Sequence, residues 1–248
     1  MIAYQLYSSR NHGPMADTFA LLSRTGYTAV EGYGAFYDDP PAIRAALDAA
    51  GLTMPSGHVS MEALEDAKAV IALARTLGLR HVFAPYLAPD ARPSDAAGWR
   101  AFAARLDTLA APLRDSCLTV GWHNHDFEFT ALPDGSLPID HLMDGTALAL
   151  EMDVAWIVRA GQDPLPWIDR YGRRTTAVHV KDIAPEGENA DQDGWADPGD
   201  GVMDWPAIAA RLEDHAPALW IAEHDNPSDD ARFARRAMAT MQGLGMGA

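Results

Sequence analysis

The chain has 248 residues, 48% of them hydrophobic, and a formal net charge of −16 at pH 7. That length suits one α/β barrel, and an acidic balance without any Lys/Arg cluster argues against nucleic-acid and anionic-membrane partners. A single cysteine, Cys117, excludes an internal disulfide, and no run of about 18 apolar residues is present to span a bilayer as a helix.

The N-terminal MIAYQLYSSR lacks a basic region followed by an apolar run, so a soluble, cytoplasmic protein is expected. Solubility accounts for the net charge. Cys117 heads an apolar strand and reads as a core residue rather than a nucleophile.

Strand and helix patterns alternate along the chain. Strands are expected at 2–8, 29–34, 53–59, 81–87, 118–125, 147–153, 176–182 and 219–225, most of them rich in β-branched and aromatic residues. The intervening segments have helical spacing. MADTFALLSRTG stops at Gly26, and PPAIRAALDAAG opens on prolines and stops at Gly51. SMEALEDAKAVIALARTLG reads as one helix with Ser60 as N-cap, ending at Gly78. Helices also fit 93–115 and 228–244, and Asp204 caps a helix starting at Trp205 and Pro206. Eight strands with helices between them, and no G-x-G-x-x-G loop, predict a single (β/α)8 TIM barrel over 1–248 rather than a doubly wound sheet. The acidic, Gly-rich stretch 184–204 reads as a long loop, either a functional lid or disordered.

Four strand ends carry the chemistry: WHNHDFEF at 122–129, EMDVAW at 151–156, AVHVKD at 177–182 and WIAEHD at 220–225. Carboxylates and imidazoles are costly at the end of a buried strand unless paired or bound to metal. Because strand residues alternate faces, His123, His125, Glu151, Asp153, His179, Lys181 and Glu223 collect on the barrel interior, with Trp122 turned to the helices. This mixed N/O set suits Mn²⁺, Co²⁺, Zn²⁺ or Fe²⁺ better than Ca²⁺. Each residue also has an ordinary structural explanation: Asp153 as a helix cap, His179 as a satisfied core histidine, Glu223 paired with Lys181. Convergence of four strand ends favours one divalent-metal site. Gln5, Tyr7, Glu31 and His58 sit at the other strand ends, where they could hydrogen-bond a polyhydroxylated ligand or merely reflect strand-end polarity. Trp156, with Trp122, Trp195 and Trp205, offers either a platform for a sugar face or core packing.

The series GWHNHDFEF, MDVAWIVRAGQDP, HVKD, GDGVMDWPAI and EHDNP resembles the sugar phosphate isomerase/epimerase family of xylose isomerase-like barrels, along nearly the whole chain. That group includes inosose dehydratases, hydroxypyruvate isomerases, ketose 3-epimerases and endonuclease IV. The resemblance implies a divalent metal, often Mn²⁺ (Mg²⁺ being a further alternative), held by Glu, Asp, His and Glu from strands 5 to 8. Asp153, His179 and Glu223 match the last three; His123 stands where relatives have the first Glu, with Glu128 as a substitute five residues on.

The implied reaction is isomerisation or epimerisation of a small carbohydrate, keto-sugar or cyclitol, with dehydration or keto-glycoside elimination as the alternative. In it Glu223 or an imidazole is the base, His125 and Glu128 return the proton, and Lys181 supplies positive charge. The departure at His123 puts a symmetric two-glutamate mechanism in question. No motif diagnoses a homo-oligomer.

Overall fold

A computed structural model describes residues 1–247. Eight parallel strands close a barrel: β1 (Ile2–Gln5), β2 (Ala29–Gly32), β3 (Thr53–His58), β4 (His81–Ala84), β5 (Thr119–His123), β6 (Ala149–Asp153), β7 (Thr175–Val180) and β10 (Leu219–Ala222). Their order is β1-β10-β7-β6-β5-β4-β3-β2, so β1 closes against β10. Each expected strand is present, though most stop short of the polar residues that follow.

The outer layer comprises α1 (Met15–Thr25), α2 (Pro40–Ala50), α3 (Met61–Leu64), α4 (Ala67–Leu77), α5 (Ala96–Asp115), α6 (Pro138–Met143), α7 (Val154–Arg159), α8 (Pro164–Tyr171), α9 (Trp205–Glu213) and α10 (Asp230–Gly243). The helix expected from Ser60 to Gly78 is two helices. Ser60 caps α3, and Asp66 then caps α4 by accepting Ala69 N–H at 3.0 Å, which restarts the helix. No helix among the described residues is long and apolar enough to cross a membrane.

Small and aliphatic residues with one aromatic ring fill the barrel interior below the mouth: Ala3, Ala29, Phe83, Ala149, Ala177, Leu219 and Ile221. The larger core lies between barrel and helices and contains Trp122 and Trp205. Gly121 on β5 shows how tightly the strands close. A Cβ there would lie 2.3 Å from the Ala149 carbonyl oxygen, so only glycine fits. A register shift between Leu150 and Glu151 lets β6 bring Glu151 beside Ala177 and Asp153 beside His179.

Two expectations are corrected. Cys117 is exposed in a left-handed turn (φ 65°) ahead of β5, outside the core. The stretch 184–204 is neither a plain loop nor disordered. It begins next to β8 (Asp182–Ile183), which pairs antiparallel with β9 (Trp195–Ala196). The buried Asp182 carboxylate accepts N–H groups from Ile183, Gly199 and Met203 at 2.9–3.1 Å. Arg232 of α10 clamps Asp197 at 2.8 Å. An acidic, Gly-rich composition suggested a lid or a disordered loop, but here glycines and aspartates serve tight turns and backbone capture.

Candidate active site

The C-terminal ends of the strands carry a buried cluster of ionisable groups. His179 is its centre. Its Nδ1 lies 2.8 Å from Glu223 Oε2 and 3.9 Å from Asp153 Oδ2, while its Nε2 lies 2.9 Å from Glu31 Oε1 and 3.4 Å from Glu151 Oε2. Glu151 Oε2 also faces His58 Nε2 at 2.5 Å and His123 Nδ1 at 3.2 Å. Lys181 Nζ is held by Asp225 at 2.6 Å and Glu223 at 3.3 Å. Two sets of four residues have ligand atoms mutually within 4.8 Å: His123, Asp153, His179, Glu223; and His58, His123, Glu151, His179.

Asp153 combines two functions that the sequence presented as alternatives. Its Oδ1 caps α7 by accepting Trp156 N–H at 3.0 Å, which aims Oδ2 into the cluster without a hydrogen-bond partner. Glu31 Oε2, Glu151 Oε1 and His123 Nδ1 are likewise buried and without hydrogen-bond partners. Orphaned acceptors of this kind are costly in a core unless a cation or substrate satisfies them. A metal therefore fits the donors present. His179 would be oriented as metal-binding histidines usually are, its second nitrogen facing a carboxylate.

The charges are sorted by the same geometry. Burial pushes Asp153 up to about 7, with Lys181 opposing and Glu223 reinforcing the rise. Burial and the Glu151 charge lift Glu31 to about 7. Burial also acts on Glu151 and Glu223, but neighbouring imidazoles, and Lys181 beside Glu223, hold both well below the ordinary carboxylate value. Burial lowers His123 to about 4, with the charge of His179 adding to it, and burial keeps His125 neutral well below its ordinary value.

Above the cluster lies a cleft of about 460 Å³ whose walls include Tyr7, Tyr33, Tyr86, His125 and Trp156, with His123 and Glu223 at its base. Trp156 and Trp195 flank Lys181, whose Nζ lies 4.9 and 4.2 Å from their ring centres. Trp156 thus lines the cleft, whereas Trp122 and Trp205 are core residues.

Of the residues singled out from sequence, His123, Asp153, His179, Lys181 and Glu223 meet at one point, and His125 overhangs it. Glu31 and His58 go deeper than expected and join the cluster itself. Gln5 is fully buried, donating to Glu31 at 3.0 Å and accepting Tyr7 N–H at 3.0 Å, so it supports the floor rather than the cleft wall. Glu128 is not brought to the mouth. The chain turns over Phe127–Phe129, and the carboxylate folds back to accept Trp122 Nε1–H at 2.6 Å and His125 N–H at 2.8 Å. Instead of lining the cleft, the Glu128 carboxylate braces the turn that carries His125. Sequence reasoning missed Asp225, Tyr33 and Tyr86. Asp225 had a signal, since it follows Glu223 by two residues.

A family model for the xylose isomerase-like TIM barrel matches residues 19–243. The rhizopine catabolism protein MocC of Rhizobium meliloti is 24% identical over 268 residues, covering 92% of this chain and 82% of that protein. Inosose dehydratase of Lacticaseibacillus casei is 28% identical over 171 residues, covering 58% of this chain and about half (55%) of that protein. Among solved structures, a sugar phosphate isomerase/epimerase from Parabacteroides distasonis superposes with a TM-score of 0.81 at 20% identity, covering 97% of this chain and 93% of that one. The IOLI protein with a bound zinc atom superposes at 0.72 and 13% identity, covering 98% and 96%. At these identities the structural matches speak to the fold.

Proposed function

The chain belongs to the xylose isomerase-like TIM barrel family, and on that premise we propose that it is a metal-dependent enzyme removing the proton next to the carbonyl of a small keto-sugar or cyclitol. The observation that carries this reading is that Glu223 and His125 both line the cleft directly over the cluster of candidate metal ligands. Glu223 Oε2 is engaged by His179 and Lys181, and no hydrogen bond among the described residues involves its Oε1. That leaves Oε1 to take up a substrate proton.

His123, Asp153, His179 and Glu223 would hold a divalent cation, which would supply Lewis-acid polarisation of the substrate carbonyl and its neighbouring hydroxyl. Mn²⁺ fits this N/O set. Lys181, kept protonated by Asp225, Glu223 and Asp153, adds fixed positive charge beside the oxygen that becomes negative. Both of its close partners are carboxylates, so it has little to spare for a phosphate, and an uncharged substrate is favoured. Trp156 and the tyrosines offer flat apolar surface to a ring face.

Elimination is the preferred outcome. A two-base epimerisation places a carboxylate on each face of the substrate, and here His123 occupies the strand-5 position. In elimination the substrate C–H proton goes to Glu223, and the β-hydroxyl leaves as water with the ring N–H proton of neutral His125, whose other nitrogen regains a proton from solvent while Glu223 releases its own to solvent in the cleft. The inosose dehydratase relatives support this reading, and isomerisation after the same first proton transfer is the second.

Inososes and keto-sugars incubated in D₂O with Mn²⁺-loaded protein test the choice. An unsaturated or deoxy-diketone product supports elimination, and deuterium on a rearranged, undehydrated skeleton supports isomerisation. Full activity after complete chelation sinks both.

A further inference from the structure

The lower of the two four-residue sets shares His123 and His179 with the one used above but adds His58 and Glu151. It sits one strand repeat deeper, with Glu151 two residues before Asp153 on β6. We infer that His58, His123, Glu151 and His179 form a nitrogen-rich site that selects Zn²⁺, while harder cations take the His123, Asp153, His179, Glu223 position above it.

Ligand spacing carries the argument. Zinc bound tetrahedrally at 2.0–2.1 Å places its ligand atoms about 3.3 Å apart. Glu151 Oε2 lies 3.2 Å from His123 Nδ1 and 3.4 Å from His179 Nε2. The third distance, 2.5 Å to His58 Nε2, is that of a hydrogen bond and needs to open by under an ångström. Three imidazoles on one zinc ion have ring centres about 5 Å apart by the same geometry. The rings of His58, His123 and His179 are separated by 5.0, 4.5 and 5.6 Å. All four side chains are buried, and Glu151 Oε1 and His123 Nδ1 have no hydrogen-bond partner.

The donor sets differ in character. The lower offers three nitrogens and one carboxylate, and four protein ligands close a tetrahedral zinc shell. The upper offers two nitrogens and two carboxylates at the cleft base, which suits a harder ion with room for substrate oxygens. Because His179 turns Nε2 to the lower position and Nδ1 to the upper, a neutral ring serves one position at a time. The two positions therefore compete.

The test uses full-length, metal-stripped protein loaded with Zn²⁺ or Mn²⁺ alone. Anomalous diffraction should place zinc among His58, His123 and Glu151, and manganese between Asp153 and Glu223. His58→Gln should weaken Zn²⁺ binding roughly tenfold or more while leaving Mn²⁺ affinity within about twofold, and Asp153→Asn should do the reverse. Should a variant fail to fold, zinc-edge absorption on the wild-type protein still counts imidazoles: three support the lower site, two overturn it. Zinc in the upper position, or no zinc in either, also overturns it. These readouts are independent of turnover, so an inactive protein that binds zinc at His58 refutes the proposed reaction and leaves this site standing.

Discussion

His179 Nε2 lies 2.9 Å from Glu31 Oε1, a contact between β7 and β2 across the barrel interior. Residues 148 positions apart thus fix one imidazole. A neutral ring that donates its Nε2–H to Glu31 leaves Nδ1 as the nitrogen facing Asp153 and Glu223. Glu31→Gln keeps size but loses the charge that favours this tautomer. Mn²⁺ affinity, measured by chelator competition, should fall roughly 10- to 100-fold with the circular dichroism spectrum unchanged. Unaltered affinity would show that Glu31 does not orient His179.

Lys181 is fully buried among Asp153, Glu223 and Asp225. Lys181→Met leaves those carboxylates without their cation, a loss of about 3–5 kcal/mol for a broken buried pair. Without the lysine the carboxylates bind protons more tightly in the folded state than in the unfolded state. Stability of the variant should therefore be greatest at low pH and decline as pH rises, with the gap to wild type widening from pH 5 to 8. Urea denaturation across that range measures it, and a gap that stays constant with pH contradicts the account.

The barrel and the convergent strand ends were legible because the evidence for them is local. Period-two alternation in LEMD and AVHVKD decides which side chains face inward, and the pattern holds at Glu151, Asp153, His179 and Lys181. Two kinds of fact lie beyond such reasoning. Barrel closure sets β2 and β3 opposite β6 and β7, so Glu31 and His58 reach Glu151 and His179 only in three dimensions. Turn conformation decides the fate of Glu128: strand alternation cannot be extended past His123, because the chain leaves the strand there. The same limit hid the β8–β9 hairpin, whose order depends on Asp182 and Arg232 rather than on apolar spacing.

Burial pushes Glu128 up to about 8, although the N–H donors of Trp122 and His125 pull it down. Its folded pKa lies above the ordinary value of 4.5, so the folded state holds the extra proton. The resulting stabilisation is full below about 4.5 and is lost as pH rises through about 8. Glu128→Gln has no such proton. It should be less stable than wild type at pH 5, because its amide meets the His125 N–H donor to donor, at a cost of about 1–3 kcal/mol. The difference should shrink by pH 8.5. Parallel unfolding profiles for the two proteins would exclude Glu128 as the source.

His125 projects over the cluster, with its ring 5.0 Å from that of His123 and 5.1 Å from that of Trp156. In the proposed elimination it acts after Glu223 has taken the substrate proton. His125→Gln should therefore separate the two half-reactions. Exchange of the α-hydrogen with D₂O, followed by proton NMR, should continue. Dehydration should slow by about 10²–10⁴-fold, the range for a lost general acid–base group. Glu223→Gln should abolish both, since the first proton transfer precedes any departure of the hydroxyl. Equal loss of exchange and dehydration in His125→Gln would move that histidine to the first step and make it the base.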